Sequence, residues 1–140
     1  IAKMYTLGHT FVPPPVHAGG LRYHGAAPIV SALTHHGKME TEMWHQAKII
    51  EDGLLFAGTE GILPAPETCH AISSAIEAAK KAKNNGEKKI ILFNFSGHGH
   101  FDTLAYKQYL DHGLPDYEYP DSDIQEALKH LPEIDESQLQ

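Results

Sequence analysis

The stretch Lys89-Ile-Ile-Leu-Phe-Asn-Phe-Ser-Gly-His-Gly-His-Phe-Asp102 constrains this chain more than any other. An apolar run, Ile90–Phe95, ends abruptly in Ser96-Gly97-His98-Gly99-His100, and a helix-compatible segment opens near Asp102. An apolar run without polar alternation suits a strand covered on both faces, as in a parallel sheet. In open α/β sheets, ligands collect just beyond the carboxyl ends of such strands. The glycines let the backbone turn and approach a ligand closely, and Ser96 supplies a hydroxyl that both donates and accepts. The pattern reads as a ligand-contact loop.

Helical and strand-like signals alternate around it. Pro28 opens a predicted helix over 29–36, closed by Gly37. Residues 42–47 read as a short strand, and 48–57 as a helix weakened by Gly53. Residues 61–63 read as a strand ended by Pro64. The strongest helix signal follows, with Pro66 at its start, Glu67 in its first turn and Ala71, Ile72, Ala75, Ile76 and Ala79 on one stripe. Lys80, Lys81 and Lys83 suit the negative end of that helix, and Gly86 stops it. After the strand at 89–95 comes a helix near 103–110. The alternation predicts an α/β fold, a three-layer αβα arrangement with a mostly parallel sheet.

Three zones follow. Residues 1–28 are loop-rich, because Pro13-Pro14-Pro15 suits neither a helix interior nor a central strand. Residues 29–112 form the expected α/β lobe, with loop 96–102 facing a ligand. Residues 113–140 form an acidic extension in which Ile124, Ala127, Leu128 and Leu131 allow one amphipathic helix.

Charge and composition exclude several classes. A net charge of −7 argues against a nucleic-acid surface. The apolar runs are far shorter than the roughly 20 residues that span a bilayer. Cys69 is the only cysteine, which fits a reducing, cytoplasmic setting. The chain begins at Ile1, which reads as a fragment or processed product. Its eleven histidines raise the question of metal binding. His98 and His100, two apart in a loop, suit one ion only with further ligands, and the other histidines have no metal-ligand spacing. Glu67 and His70, one turn apart, match either a Glu-x-x-His iron pair or a first-turn carboxylate serving the helix dipole. Cys69 near a helix start is either an activated thiol or a small core residue, and no His/acid partner pattern supports the former.

Three blocks read together carry a resemblance. They are Thr6–Gly25 (TLGHTFVPPPVHAGGLRYHG), Thr59–Ala71 (TEGILPAPETCHA) and Phe93–Asp102 (FNFSGHGHFD). In order and spacing they resemble the C-terminal portion of the tryptophan synthase β chain, more its second, β-like class than the common class that pairs with an α chain. The resemblance covers roughly residues 1–112. It implies two α/β lobes of the fold-type II kind around pyridoxal 5′-phosphate. The implied reaction is a cytoplasmic lyase's β-replacement of L-serine with indole to give L-tryptophan.

By the same resemblance, Ser96 hydrogen-bonds the cofactor's pyridine nitrogen, Gly97 lets the loop approach the ring, and Glu60 lies beside it. The backbone carbonyls of Leu21, Tyr23 and Gly25 fall where the family binds a monovalent cation, Na⁺ or K⁺. Arg22 stands where the common class carries an aspartate, and His98 and Phe101 replace charged residues of its loop. The covalent lysine and the phosphate loop of the family lie N-terminal to the match, and Lys3, Lys38, Lys48 and Lys80–Lys89 sit in no comparable motif. This chain alone is therefore expected to hold no catalytic residue and to be inactive. Its expected partners are the missing N-terminal half and, through the surface that half would cover, a second copy of itself. The alternative is a non-catalytic α/β module that binds a small ligand or a partner.

Overall fold

The computed structural model describes residues 3–133. Its elements are a single 3₁₀ turn, Gly19–Leu21, and five helices: α1 (Pro28–His35), α2 (Gln46–Glu60), α3 (Pro66–Asn84), α4 (Thr103–His112) and α5 (Asp121–Leu128). The chain packs as two compact units. One comprises Pro15–Leu21 and Glu42–Tyr117, and the other holds the remaining described residues.

The larger unit is built on α2 and α3. Pro66 at the first position of α3 forfeits only an N–H that has no helical partner there. Glu67 in the first turn and Lys81 and Lys83 in the last suit the helix dipole. α2 ends on Gly61 at φ 73°, whose N–H bonds Ala57 O; only glycine enters that conformation without strain. Ile49, Ile50, Cys69 and Tyr106 form the buried core, with Trp44, Leu54, Leu63, Tyr109 and Leu114 packed around it. Gly53, which weakened the sequence signal for α2, is the contact point between the helices. A Cβ there would lie 2.5 Å from Cys69 Sγ and 3.1 Å from the Tyr106 hydroxyl oxygen. The residue that costs α2 helical propensity is the one that lets α3 and α4 close upon it. Trp44 Nε1–H donates to Ser74 Oγ at 2.8 Å, tying the segment before α2 to α3.

In the smaller unit, Pro28 opens α1 and Gly37 at φ 64° follows its end. Ser31, buried on α1, accepts from Tyr5 N–H (3.1 Å) and donates to Ala26 O (3.3 Å). These bonds anchor the extended N-terminal segment on α1. Phe11 meets Tyr119 edge-on at 5.1 Å, and α5 carries Ile124, Ala127 and Leu128, whereas Leu131, the fourth residue of the predicted stripe, lies beyond its end.

The expected αβα sheet is absent. The described residues are helical or irregular, with two isolated antiparallel bridges, Thr6 with Gly25 and Pro64 with His98. Residues 42–45 precede α2 without strand pairing, and Gln46 already belongs to the helix. Gly61 caps α2 instead of starting a strand. The run Ile90–Phe95 pairs with nothing: among the described residues, no backbone hydrogen bond involves residues 88–96. Its odd-numbered side turns toward α2, where Phe56 packs against Phe93 (6.0 Å) and Phe95 (5.6 Å). On its even-numbered side Ile90 is 101% and Leu92 95% exposed. Apolar composition made this run look like a strand, but a strand exists only where neighbouring strands supply ladder partners. The described residues contain no second strand to pair with it. No helix of the described residues is long and apolar enough to cross a membrane.

Candidate functional site

Loop 96–102 is held by the residues that lead into α3. Ala65 N–H donates to Gly97 O (3.0 Å), and Gly99 N–H donates to Leu63 O (2.8 Å). These two bonds flank the Pro64–His98 bridge. A Cβ at Gly97 would meet Ala65 Cβ at 3.2 Å, which is tight. At Gly99 it would lie 2.4 Å from Pro64 O and 3.1 Å from both Leu63 and Tyr106, so no side chain fits. Tyr106 closes this corner from α4. Its hydroxyl donates to Pro64 O at 2.5 Å and accepts from Cys69 Sγ–H at 3.3 Å.

Ser96 sits exposed at the mouth of the loop, and its hydroxyl contacts Thr68 Oγ1 at 3.2 Å. Thr68 is 1% exposed, and its Oγ1 also lies 3.1 Å from Gly97 O. A threonine hydroxyl has one proton to give. With that proton on Gly97 O, Ser96 must donate inward to Thr68 and presents only acceptor lone pairs outward. With it on Ser96, the serine proton is free to point outward. The Thr68–Ser96 pair is therefore a hydroxyl terminal that adapts to a donor or to an acceptor. Thr68 was not singled out from the sequence, since a threonine in a first helical turn has no distinguishing mark until the loop is folded against it.

Glu60 is the last residue of α2, exposed and without a hydrogen bond or ion pair among the described residues. Phe56, one turn earlier, packs against Phe95, the residue before Ser96. His98 Nδ1 accepts from His100 N–H at 3.3 Å, and the two rings meet edge-on at 4.6 Å. No group of three or more His, Cys, Asp or Glu side chains is placed to hold a metal among the described residues. Glu67 Oε1 accepts from Gly20 N–H at 2.7 Å, so the first-turn carboxylate of α3 holds the 3₁₀ turn. Burial depresses the His70 pKa, with Glu67 opposing weakly. Burial pushes the Cys69 thiol up to about 11, against a smaller lowering by Tyr106, which makes it a core residue and a poor nucleophile. The Tyr106 hydroxyl is raised well above its ordinary value by the same burial.

Of the expected cation ligands, Leu21 closes the 3₁₀ turn of the larger unit, whereas Tyr23 and Gly25 belong to the smaller one. Gly25 bridges Thr6, and a Cβ there would lie 3.0 Å from Met4, Tyr5 and Thr6 atoms. A recess of about 290 Å³ is lined by Val16, His17, Glu67, Phe101, Asp102 and Leu104 among others. It includes neither Ser96 nor Glu60, both of which are exposed.

Ser96 and Glu60 thus lie exposed beside a run that has no strand partner among the described residues. Comparison with known proteins places the chain in a family. No protein-family model matches the chain. It is 54% identical over 116 residues to the tryptophan synthase β chain of Thermococcus onnurineus (strain NA1), covering 83% of this chain and 26% of that protein. It is 55% identical over 116 residues to tryptophan synthase β chain 2 of Aquifex aeolicus (strain VF5), covering 83% and 27%. With tryptophan synthase β chain 2 of Methanosarcina mazei it shares 55% over 109 residues, covering 78% and 25%. The chain spans about a quarter of the length of these curated relatives. It is a homologue of a portion of the tryptophan synthase β chain.

Proposed function

We propose that this chain provides the ring-nitrogen wall of a pyridoxal-phosphate site in a cytoplasmic tryptophan-forming lyase. The identity shared with tryptophan synthase β chains over 83% of the chain carries this reading. The parent reaction would replace the hydroxyl of L-serine with indole. Pyridoxal phosphate, when bound, supplies the electron sink that such a replacement needs.

The residues present fit that group. The outward hydroxyl of Ser96, held by buried Thr68, suits a pyridine nitrogen in either protonation state. A neutral hydroxyl there would keep the ring nitrogen less protonated than a carboxylate would, moderating the electron sink. Gly97 keeps the loop close to the α3 entry, and exposed Glu60 at the end of α2 offers a carboxylate. Na⁺ or K⁺ at the carbonyls of Leu21, Tyr23 and Gly25 belongs to the same proposal, resting on oxygen-donor chemistry.

The covalent lysine and the phosphate loop would come from a second polypeptide portion, the N-terminal part of a β chain. The 140-residue chain mixed with pyridoxal phosphate, serine and indole should yield no tryptophan. Adding a polypeptide that carries the remaining β-chain length should restore turnover, and Ser96→Ala should reduce the restored rate. Tryptophan formation by the chain alone would sink the division of labour proposed here. Failure of the mixture, with the chain still binding it tightly, would favour a non-catalytic partner-binding module.

A further inference from the structure

Thr68 lies in the first turn of α3, buried behind the exposed Ser96. Only 1% of the residue is exposed, so its hydroxyl proton has no solvent to go to. Two acceptors lie within reach, Gly97 O at 3.1 Å and Ser96 Oγ at 3.2 Å. Gly97 O also takes the Ala65 N–H at 3.0 Å, and a carbonyl oxygen has lone pairs for both. A β-branched side chain on a helix has few rotamers, which holds the threonine hydroxyl at this junction.

We propose that Thr68 is a positioning residue that turns the outward face of Ser96 toward accepting a hydrogen bond, so that the site favours a protonated ring nitrogen more than a lone serine would. The ligand class is a pyridine-type heterocycle, and the role rests on the pyridoxal-phosphate reading above. Donors and acceptors set the direction. With a proton on the ring nitrogen, the ring donates to Ser96, Ser96 donates to Thr68, and Thr68 donates to Gly97 O. Every donor then meets an acceptor. With a bare ring nitrogen, Ser96 donates outward and Thr68 has a single proton for either Ser96 or Gly97 O, so one bond fewer forms. Replacing Thr68 by valine leaves either state with only the bond between Ser96 and the ring. The threonine hydroxyl therefore adds two bonds to the protonated state and one to the bare state. That surplus of one net hydrogen bond moves a protonation midpoint by roughly half a unit to one unit.

The test has two arms. In the full 140-residue chain, Thr68→Val, Ser96→Ala and the double variant form a cycle in urea unfolding. The two sites should couple by about two- to fivefold in the unfolding constant. Additive losses would overturn the proposal, because Ser96 would then not depend on Thr68. The second arm uses the chain reconstituted with a polypeptide that carries the remaining β-chain length, loaded with pyridoxal phosphate labelled with ¹⁵N in its ring. The nitrogen chemical shift followed against pH reports protonation directly. Its midpoint should fall by roughly half a unit to one unit in Thr68→Val and return in Thr68→Ser, which restores the hydroxyl. A midpoint that stays or rises in Thr68→Val, or falls equally in Thr68→Ser, would overturn the role of Thr68 while leaving the proposed function standing. An unsubstituted mixture that takes up no pyridoxal phosphate would remove the proposed function, and the ligand assigned here with it.

Discussion

Helix α3 and the run 88–96 lie in the same compact unit, and both carry strong sequence signals, yet they ended differently. α3 satisfies its backbone within itself, residue to residue four positions on, and needs neighbours only to cover one stripe. α2 supplies that cover at Gly53. Residues 88–96 hold the apolar run Ile90–Phe95, but the hydrogen bonds of a strand lie outside it. The described residues hold no strand to receive them, so the backbone is unpaired. What separates the two regions is where their hydrogen-bond partners reside, inside the segment or in another one.

Several measurements press on that contrast. The largest effect belongs to the helical core: Ile50→Ala should cost about 2–5 kcal/mol in urea or thermal unfolding, because the site is wholly buried. A loss below 1 kcal/mol would mean that α2 and α3 are not packed as described. Next comes alkaline pH. Burial holds the folded Cys69 thiol at about 11, above its ordinary value of 9.0. Stability from this group is complete below pH 9 and declines up to about pH 11, by up to roughly 3 kcal/mol. Tyr106, raised in the same direction, extends the decline. Unfolding midpoints followed from pH 8 to 11 should show the fall, and Cys69→Ala should lessen it.

Gly99→Ala comes third, at about 1–3 kcal/mol, since its Cβ would strike Pro64 O and force the loop off the α3 entry. If the variant melts with the parent, that contact is wrong. Thr68→Val should cost about 1 kcal/mol through the lost hydroxyl bonds. In a reconstituted enzyme it should alter the pH profile of turnover more than the affinity for indole. Smallest of all, Leu92→Ala measured in dilute solution should change stability by less than about 0.5 kcal/mol, since the side chain is 95% exposed. A large loss there would show that the run is covered after all, and the contrast with α3 would disappear.

Legibility in the sequence followed the same division. Pro28, Pro66, Gly37 and Gly86 marked helix ends close to where α1 and α3 begin and stop. α2 ran longer than its apolar spacing suggested, because the Gly53 that weakened the signal is demanded by the approach of α3. The three ordered blocks were enough to name the relatives later found at 51–55% identity. Ser96, Gly97 and Glu60 were readable as a loop and a carboxylate. Thr68, which governs what the Ser96 hydroxyl presents, was not, nor was Gly99, whose lack of room depends on Pro64, Leu63 and Tyr106.

The sequence by itself determined the helices, their ends, the acidic balance and the likeness to one portion of a longer chain, because each rests on neighbours in sequence or on residue identity. Only the tertiary structure decided that the apolar run before Ser96 has no sheet, that Cys69 is sealed against Tyr106, and that Thr68 stands behind Ser96. Those outcomes depend on which distant groups come within hydrogen-bond or van der Waals reach, and no local pattern encodes them.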